Sequence, residues 1–264
     1  MSVTITQVID ALEELAPLSF QDDFDNAGLQ VGIKDKDVTG VLVCLDITEA
    51  VIDEAAALGC NLVVSHHPLI FHPLRQVSDS TYQQRCVMKA ISGGITLYSA
   101  HTNLDNAEGG VNSRIASMIG LEDVDFLDPK PAAGGRQCGS GVIGRLSVPE
   151  EPAEFIARIK ELFNVECVCH SDIPSGKIGK VALCGGAGSF LMDEARRRGA
   201  DCFITGEISY HHYFDADGML LMALGHYQSE QFTQNLLKEY VQSRFPELNV
   251  IITKLNTNPI RYSV

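Results

Sequence analysis

Apolar side chains recur along residues 4–15 (TITQVIDALEEL) at Ile5, Val8, Ile9, Leu12 and Leu15, a spacing that predicts an amphipathic helix. A loop, FDNAGLQVG, follows, and then a short β-rich run, GVLVCLD, over 40–46. The pattern in TEAVIDEAAALG predicts a helix that stops at Gly59, and NLVVSHHP (61–68) predicts a second strand. Strands that are apolar along their whole length and joined by a helix belong to a mostly parallel sheet. Further on, PKPAAGGRQCGSG (129–141) reads as a Gly/Pro-rich connector. VIGRLSV, EPAEFIARIKELF and VECVCH then read as strand, helix and strand, and the chain closes with a helix, EQFTQNLLKEYVQSRF, and a strand, LNVIITKL.

The strand–helix–strand unit occurs twice. Moving residues 41–67 forward by 140 without a gap places them on 181–207. Val41 then meets Val181, Cys44 meets Cys184, Asp53-Glu54-Ala55 meets Asp193-Glu194-Ala195, Gly59 meets Gly199 and His67 meets Glu207. At an offset of 125, ITLYSAHTNLD (95–105) falls on LLMALGHYQSE (220–230), pairing His101 with His226 and Asp105 with Glu230. Each half thus ends an apolar strand with His, three residues and a carboxylate. Duplication predicts an α/β protein of two similar lobes with mostly parallel or mixed sheets, the polar strand ends converging in one cleft. The first lobe is expected over 1–128 with 226–264, and the second over 129–225.

Composition narrows the function. The chain has 264 residues and a formal net charge of −14, and its few basic residues are scattered apart from Arg196-Arg197-Arg198. A nucleic-acid footprint needs clustered cations, so nucleic acid is an unlikely partner. No apolar stretch reaches the ~20 residues that a bilayer requires, so no membrane partner is expected. The N-terminus lacks a basic start followed by an apolar run. Eight cysteines are dispersed without a CxxC, several inside apolar runs. This predicts a cytoplasmic chain with reduced thiols and no cysteine-based zinc site.

The candidate chemistry sits at strand ends. His66 and His67 close a strand and precede Pro68. Because successive strand residues point to opposite faces, the pair suits two neighbouring ions, or one ion and one substrate, better than a single chelate. In GHYQSE, with Ser229 as N-cap, a helical four-residue step turns His226 and Glu230 toward one point. Asp105 comes from the equivalent loop of the other half. Imidazoles with two carboxylates suit Zn, Mn or Fe, and carboxylates shared by two ions are usual in two-metal hydrolases. Glu207, His211 and His212 in GEISYHH are candidates for supporting or acid/base roles, the alternative being a polar helix start. Gly185, Gly186 and Gly188 in CGGAGS could hold a phosphate, but without a P-loop lysine a tight turn is favoured; Asp25 and Asn26 are expected to shape a turn.

Taken in order, DNAGLQVG (25–32), SHHPLIF (65–71), AHTNLD (100–105), CGGAGS (184–189), TGE (205–207) and GHYQSE (225–230) resemble the GTP cyclohydrolase 1 type 2 homologue family, also called Nif-three-like. The resemblance runs from the first helix to TNPI (257–260), with Phe24 standing where the family often has Trp. It implies two divalent metal ions between two lobes, held by His66, His67, Asp105, His226 and Glu230, with His101 lining the site. It also implies a homohexamer, in a short form without the family's inserted domain. Its name implies a small-molecule substrate, GTP, attacked at C8 of the purine by an activated water, with His101, Glu207 or His211 moving protons. The alternative is a non-catalytic metal-binding or regulatory hexamer.

Overall fold

A computed structural model describes residues 2–133 and 135–263. In chain order its regular elements are α1 (Ile5–Leu15), β1 (Gly28–Val31), β2 (Val41–Cys44), α2 (Glu49–Ala57), β3 (Leu62–Ser65), α3 (Tyr82–Gly93), β4 (Thr96–Ser99), α4 (Thr102–Asp105), α5 (Val111–Ile119), β5 (Leu121–Ala133), β6 (Arg136–Glu150), α6 (Pro152–Leu162), β7 (Cys169–His170), β8 (Ile178–Cys184), α7 (Met192–Arg197), β9 (Cys202–Thr205), β10 (Leu220–Ala223), α8 (His226–Glu230), α9 (Thr233–Arg244) and β11 (Val250–Ile252). They form two compact units, Met1–Leu104 with Thr233–Val264, and Asp105–Phe232. Residues 105–128 and 226–232, expected with the first lobe, therefore group with the second. The long β5 pairs with β6 in that unit's sheet, and α8 follows directly from β10.

The first unit holds a five-stranded sheet in the order β1-β4-β3-β2-β11, parallel except for β1. The second holds six strands in the order β5-β6-β8-β9-β10-β7, with β8, β9 and β10 parallel. Strands β2, β3 and β4 are buried residue after residue, as are residues 181–184 of β8 and all of β9, which is why they read as unbroken apolar runs.

The duplication is visible in the registers. Val41 to Cys44 pair with Leu62 to Ser65, and Val181 to Cys184 pair with Cys202 to Thr205, an offset of 140 at every position. Helix α2 has its counterpart in a 3-10 turn (Gly188–Leu191) running into α7. Ala55 and Ala195 of the repeated triplet are both fully buried. Gly59 and Gly199 end their helices with the same φ of +70°, a left-handed conformation in which glycine avoids the side-chain penalty. The third strands match at 124, not 125. Ser65 pairs with Ser99 and Thr205 with Ala223, and one additional residue precedes His226. Gly225, at φ +96°, takes up that residue as the chain turns into α8.

The expected connector at 129–141 is instead part of an antiparallel pair. β5 and β6 pair from Leu121–Leu146 to Ala133–Arg136, with Gly134 of that stretch lying outside the described residues. Prolines are accommodated because β5 is the edge of the sheet. Gly139 is required by close approach, since a Cβ there would stand 2.7 Å from the Asp128 carbonyl oxygen. Of the expected strand VECVCH only Cys169–His170 pairs, and the final helix begins at Thr233 after the separate α8. The loop FDNAGLQVG contains β1.

Candidate metal centre

Within the first unit, the chemistry gathers where parallel strands end. β3 stops at Ser65, so His66 and His67 lie just beyond it, their amides still donating to the Cys44 and Leu45 carbonyl oxygens at the end of β2. Their ring centroids are 4.9 Å apart, and the ring of His101, two residues beyond β4, stands 5.3 and 5.5 Å from them. Ligand-capable nitrogens of the three lie within 4.8 Å of one another.

Each of these rings is anchored through Nδ1. His66 donates to the Ala100 carbonyl oxygen at 2.8 Å, His67 to Asp46 Oδ1 at 2.7 Å and His101 to Asp25 Oδ1 at 2.7 Å. Carbonyl and carboxylate oxygens accept, so Nδ1 carries the proton and Nε2 presents the lone pair that a metal needs. Carboxylates behind metal-ligating imidazoles are the usual orienting partners. Asp25 also accepts from Asn26 N and from the amide and hydroxyl of Thr102. Burial raises its pKa, but the His101 hydrogen bond and charge and the other donors outweigh that and bring it to about 2. At Asp46 burial is likewise overcome, by His67 and the Thr257 hydroxyl at 2.7 Å, leaving the carboxyl below its ordinary value.

Within the second unit, Gly206 and Glu207 follow β9, and Gly225 and His226 follow β10. His226 Nδ1 faces Glu207 Oε1 at 3.0 Å, and Nε2 stands 3.2 Å from Glu230 Oε2 one helical turn on. Glu230 is buried against the Gly185–Gly186 turn. Asp105 is half-buried, its carbonyl oxygen accepting from Asn112 Nδ2, and a carboxylate oxygen of Asp105 lies within 4.8 Å of one of Glu230. At that distance two anions repel by about 3 kcal/mol at an effective dielectric of 20. A divalent cation reverses the sign, so this donor set suits one.

Two sequence expectations change, for Ser229 and Asp25, and one holds, for CGGAGS. Ser229 is not the N-cap of α8; its hydroxyl donates to the His226 carbonyl and accepts from Gly186 N at 3.0 Å. The amides of CGGAGS hold no phosphate cradle. Gly185 N donates to Asn112, Gly186 N to Ser229 and Gly188 N to Thr205, so the tight turn is what forms. Asp25 does more than shape a turn, since it holds His101 and Thr102. His211 sits in an exposed 3-10 turn, stacked edge-on against Tyr210 at 5.3 Å, and His212 Nδ1 meets Ser209 Oγ. Asp46 and Thr257 were not among the expected site residues. Their signals were a carboxylate directly after the strand VLVCL and the closing motif TNPI.

Known proteins match the chain over nearly its whole length. A family model described as Duf34/NIF3 (NGG1p interacting factor 3) matches residues 3–259. A Clostridium acetobutylicum protein named GTP cyclohydrolase 1 type 2 homolog is 30% identical, covering 99% of this chain and 100% of its own. A Lactococcus lactis protein of the same name is 33% identical over 94% of this chain and 95% of its own. Among solved structures, a Bacillus cereus protein related to NIF3 superposes with a TM-score of 0.91 at 25% identity, covering 99% of both chains. A Staphylococcus aureus hypothetical protein gives 0.91 at 29% identity over the whole of both. No described helix is long and apolar enough to cross a membrane. A strand-end histidine set, a carboxylate set on the duplicated scaffold and a match over nearly the whole length lead to one assignment: the chain belongs to the Duf34/NIF3 family.

Proposed function

We propose that the protein is a dinuclear metal-dependent hydrolase acting on a nucleotide-like small molecule, with His66, His67, Asp105, His226 and Glu230 holding two divalent ions, Zn, Mn or Fe. The observation that carries this reading is that every one of these imidazoles is held through the same ring nitrogen. All four imidazoles have Nδ1 against an oxygen, so Nε2 is the nitrogen that His66, His67 and His226 would offer to an ion and that His101 would use in proton transfer. Such ions, when bound, polarise a substrate oxygen and acidify water. The chain's own residues do the rest. Asp46 and Glu207 fix the rings of His67 and His226, and Asp25 fixes His101, whose imidazole moves the proton between water and leaving group. His211, on its exposed turn, is the second candidate for proton transfer. The nucleotide class rests on the name carried by the relatives, GTP cyclohydrolase 1 type 2 homolog. A cytoplasmic homohexamer is the assembly proposed, from family resemblance; light scattering that gives a stable monomer at micromolar concentration refutes it.

Elemental analysis of freshly purified protein, then a nucleotide hydrolysis screen with and without chelator, tests the function. Two equivalents of divalent metal per chain with chelator-sensitive turnover is the expected result. Metal with no turnover of any nucleotide would instead favour a non-catalytic binding module, and absence of metal would overturn both.

A further inference from the structure

On the first unit a groove of about 590 Å³, with no histidine among its lining residues, opens beside β1 and the C-terminal half of α3. Its walls are Val31, Ile33, Ile70, Val87 and Ile91, with Ile33 and Ile91 58% and 62% exposed. Water-facing isoleucines on a concave surface of this volume are costly unless something apolar is seated there, and the volume lies within the range of small-ligand sites.

Two polar side chains line it. Gln30 is fully engaged, donating to the carbonyls of Asn26 and Gly28 and accepting from Ile70 N. Lys36 is the other. Its ammonium has no hydrogen-bond or ion-pair partner among the described residues. The flanking carboxylates are turned elsewhere, Asp35 accepting from the Thr6 hydroxyl and Asp37 from that of Ser2. The ammonium stands over Gly94, the left-handed residue that ends α3, 3.8 Å from where a Cβ would be. An unpaired cation at one end of an apolar groove, in a chain of net charge −14, defines an amphiphile with one negative head.

We propose that this groove binds a single-chain fatty acid, its alkyl chain along Val31, Ile33, Val87 and Ile91 and its carboxylate at Lys36. The proposal is independent of the metal reading and uses none of the same residues.

Titration of the full-length protein with octanoate and decanoate, followed by amide chemical shifts, tests it. Decanesulfonate serves as a third probe because its head group ligates divalent ions poorly. Each methylene seated should tighten binding about four-fold, so decanoate should bind about fifteen-fold more tightly than octanoate. Shifts should map to residues 30–36, 87–95 and Ile70, with decanesulfonate moving the same signals. Decylamine should bind more weakly than decanoate, and Lys36→Gln, at an exposed position with far-UV circular dichroism as the folding control, should weaken decanoate about five-fold while leaving decylamine unaffected. Equal affinity for the amine and the acid, no chain-length dependence, or shifts mapping outside the groove would overturn the proposal. So would a groove that ignores decanoate while Ile91→Asp lowers the mass seen by light scattering, because a second copy of the chain would then be its occupant.

Discussion

Replacing Gly186 by alanine gives the most direct test of Glu230 as a ligand. A Cβ at Gly186 would lie 2.2 Å from Glu230 Oε1 and 3.4 Å from His226 Nε2. Ordinary contact needs the carboxylate to retreat by about 1 Å, several times the ~0.2 Å tolerance of a metal–ligand distance. Glu230 is buried with little room to re-route, so the variant should lose metal affinity by about 100-fold or more, beyond the loss typical of outer partners. The backbone cost is separate. Gly186 has φ +62°, where a side chain costs roughly 1–2 kcal/mol, lowering the melting temperature by about 2–8 °C. Gly199→Ala supplies the matched control, with φ +70° and nothing within 4 Å of its Cβ. Metal content by mass spectrometry and melting temperature in chelator should separate the two. Both variants should melt lower, Gly186→Ala the further because its Cβ also displaces buried Glu230, and only Gly186→Ala should arrive depleted of metal. If Gly186→Ala retains the parent's metal content, Glu230 is not a ligand and the reading of the site fails.

Glu230→Gln keeps the size and removes the charge, so metal content should fall while circular dichroism is unchanged; His170→Ala, far along the sequence from every motif, should keep its metal. Asp25→Asn presents an amide donor where the Thr102 amide and hydroxyl now donate, and should cost about 1–3 kcal/mol in denaturant unfolding together with reduced turnover. Thiol titration at pH 8 should find two fast cysteines, Cys167 and Cys169, since these are exposed and the other six are buried. Burial and the charge of Glu49 lift the Cys86 thiol to about 11, and burial pushes Cys44 and Cys202 well up, so these remain protonated and unreactive until the protein unfolds.

The parallel core was legible because burial on both faces makes a strand apolar throughout, and because Gly59 and Gly199 mark the same left-handed helix end in each copy. The edges were not. β5 carries Glu122, Asp123, Asp125 and Asp128 as well as two prolines, which is how an edge strand discourages further pairing and also how a loop reads. β1 is four residues long, with glycine at its start and another just after it. His66, His67, Asp105, His226 and Glu230 could be singled out from strand-end position and the repeat. Asp25 and Asp46 could not be given their roles, because their histidines lie 76 and 21 residues away in sequence and local pattern carries no trace of a hydrogen bond formed by the fold.

The two copies use one device at different strands. In the first unit a carboxylate after the first parallel strand, Asp46, fixes a histidine after the second, His67. In the second unit a carboxylate after the second strand, Glu207, fixes a histidine after the third, His226. At the 140-residue offset His67 corresponds to Glu207, so the copies hold opposite partners of the pair at that position. Asp46 correspondingly falls on Gly186, the turn against which Glu230 lies. A carboxylate retained there would have met Glu230 as both a steric obstacle and a like charge. The bare backbone at Gly186 therefore leaves room for the Glu230 carboxylate at the position that carries Asp46 in the first unit, and a duplicated scaffold can in this way supply unlike donor sets from like strand ends.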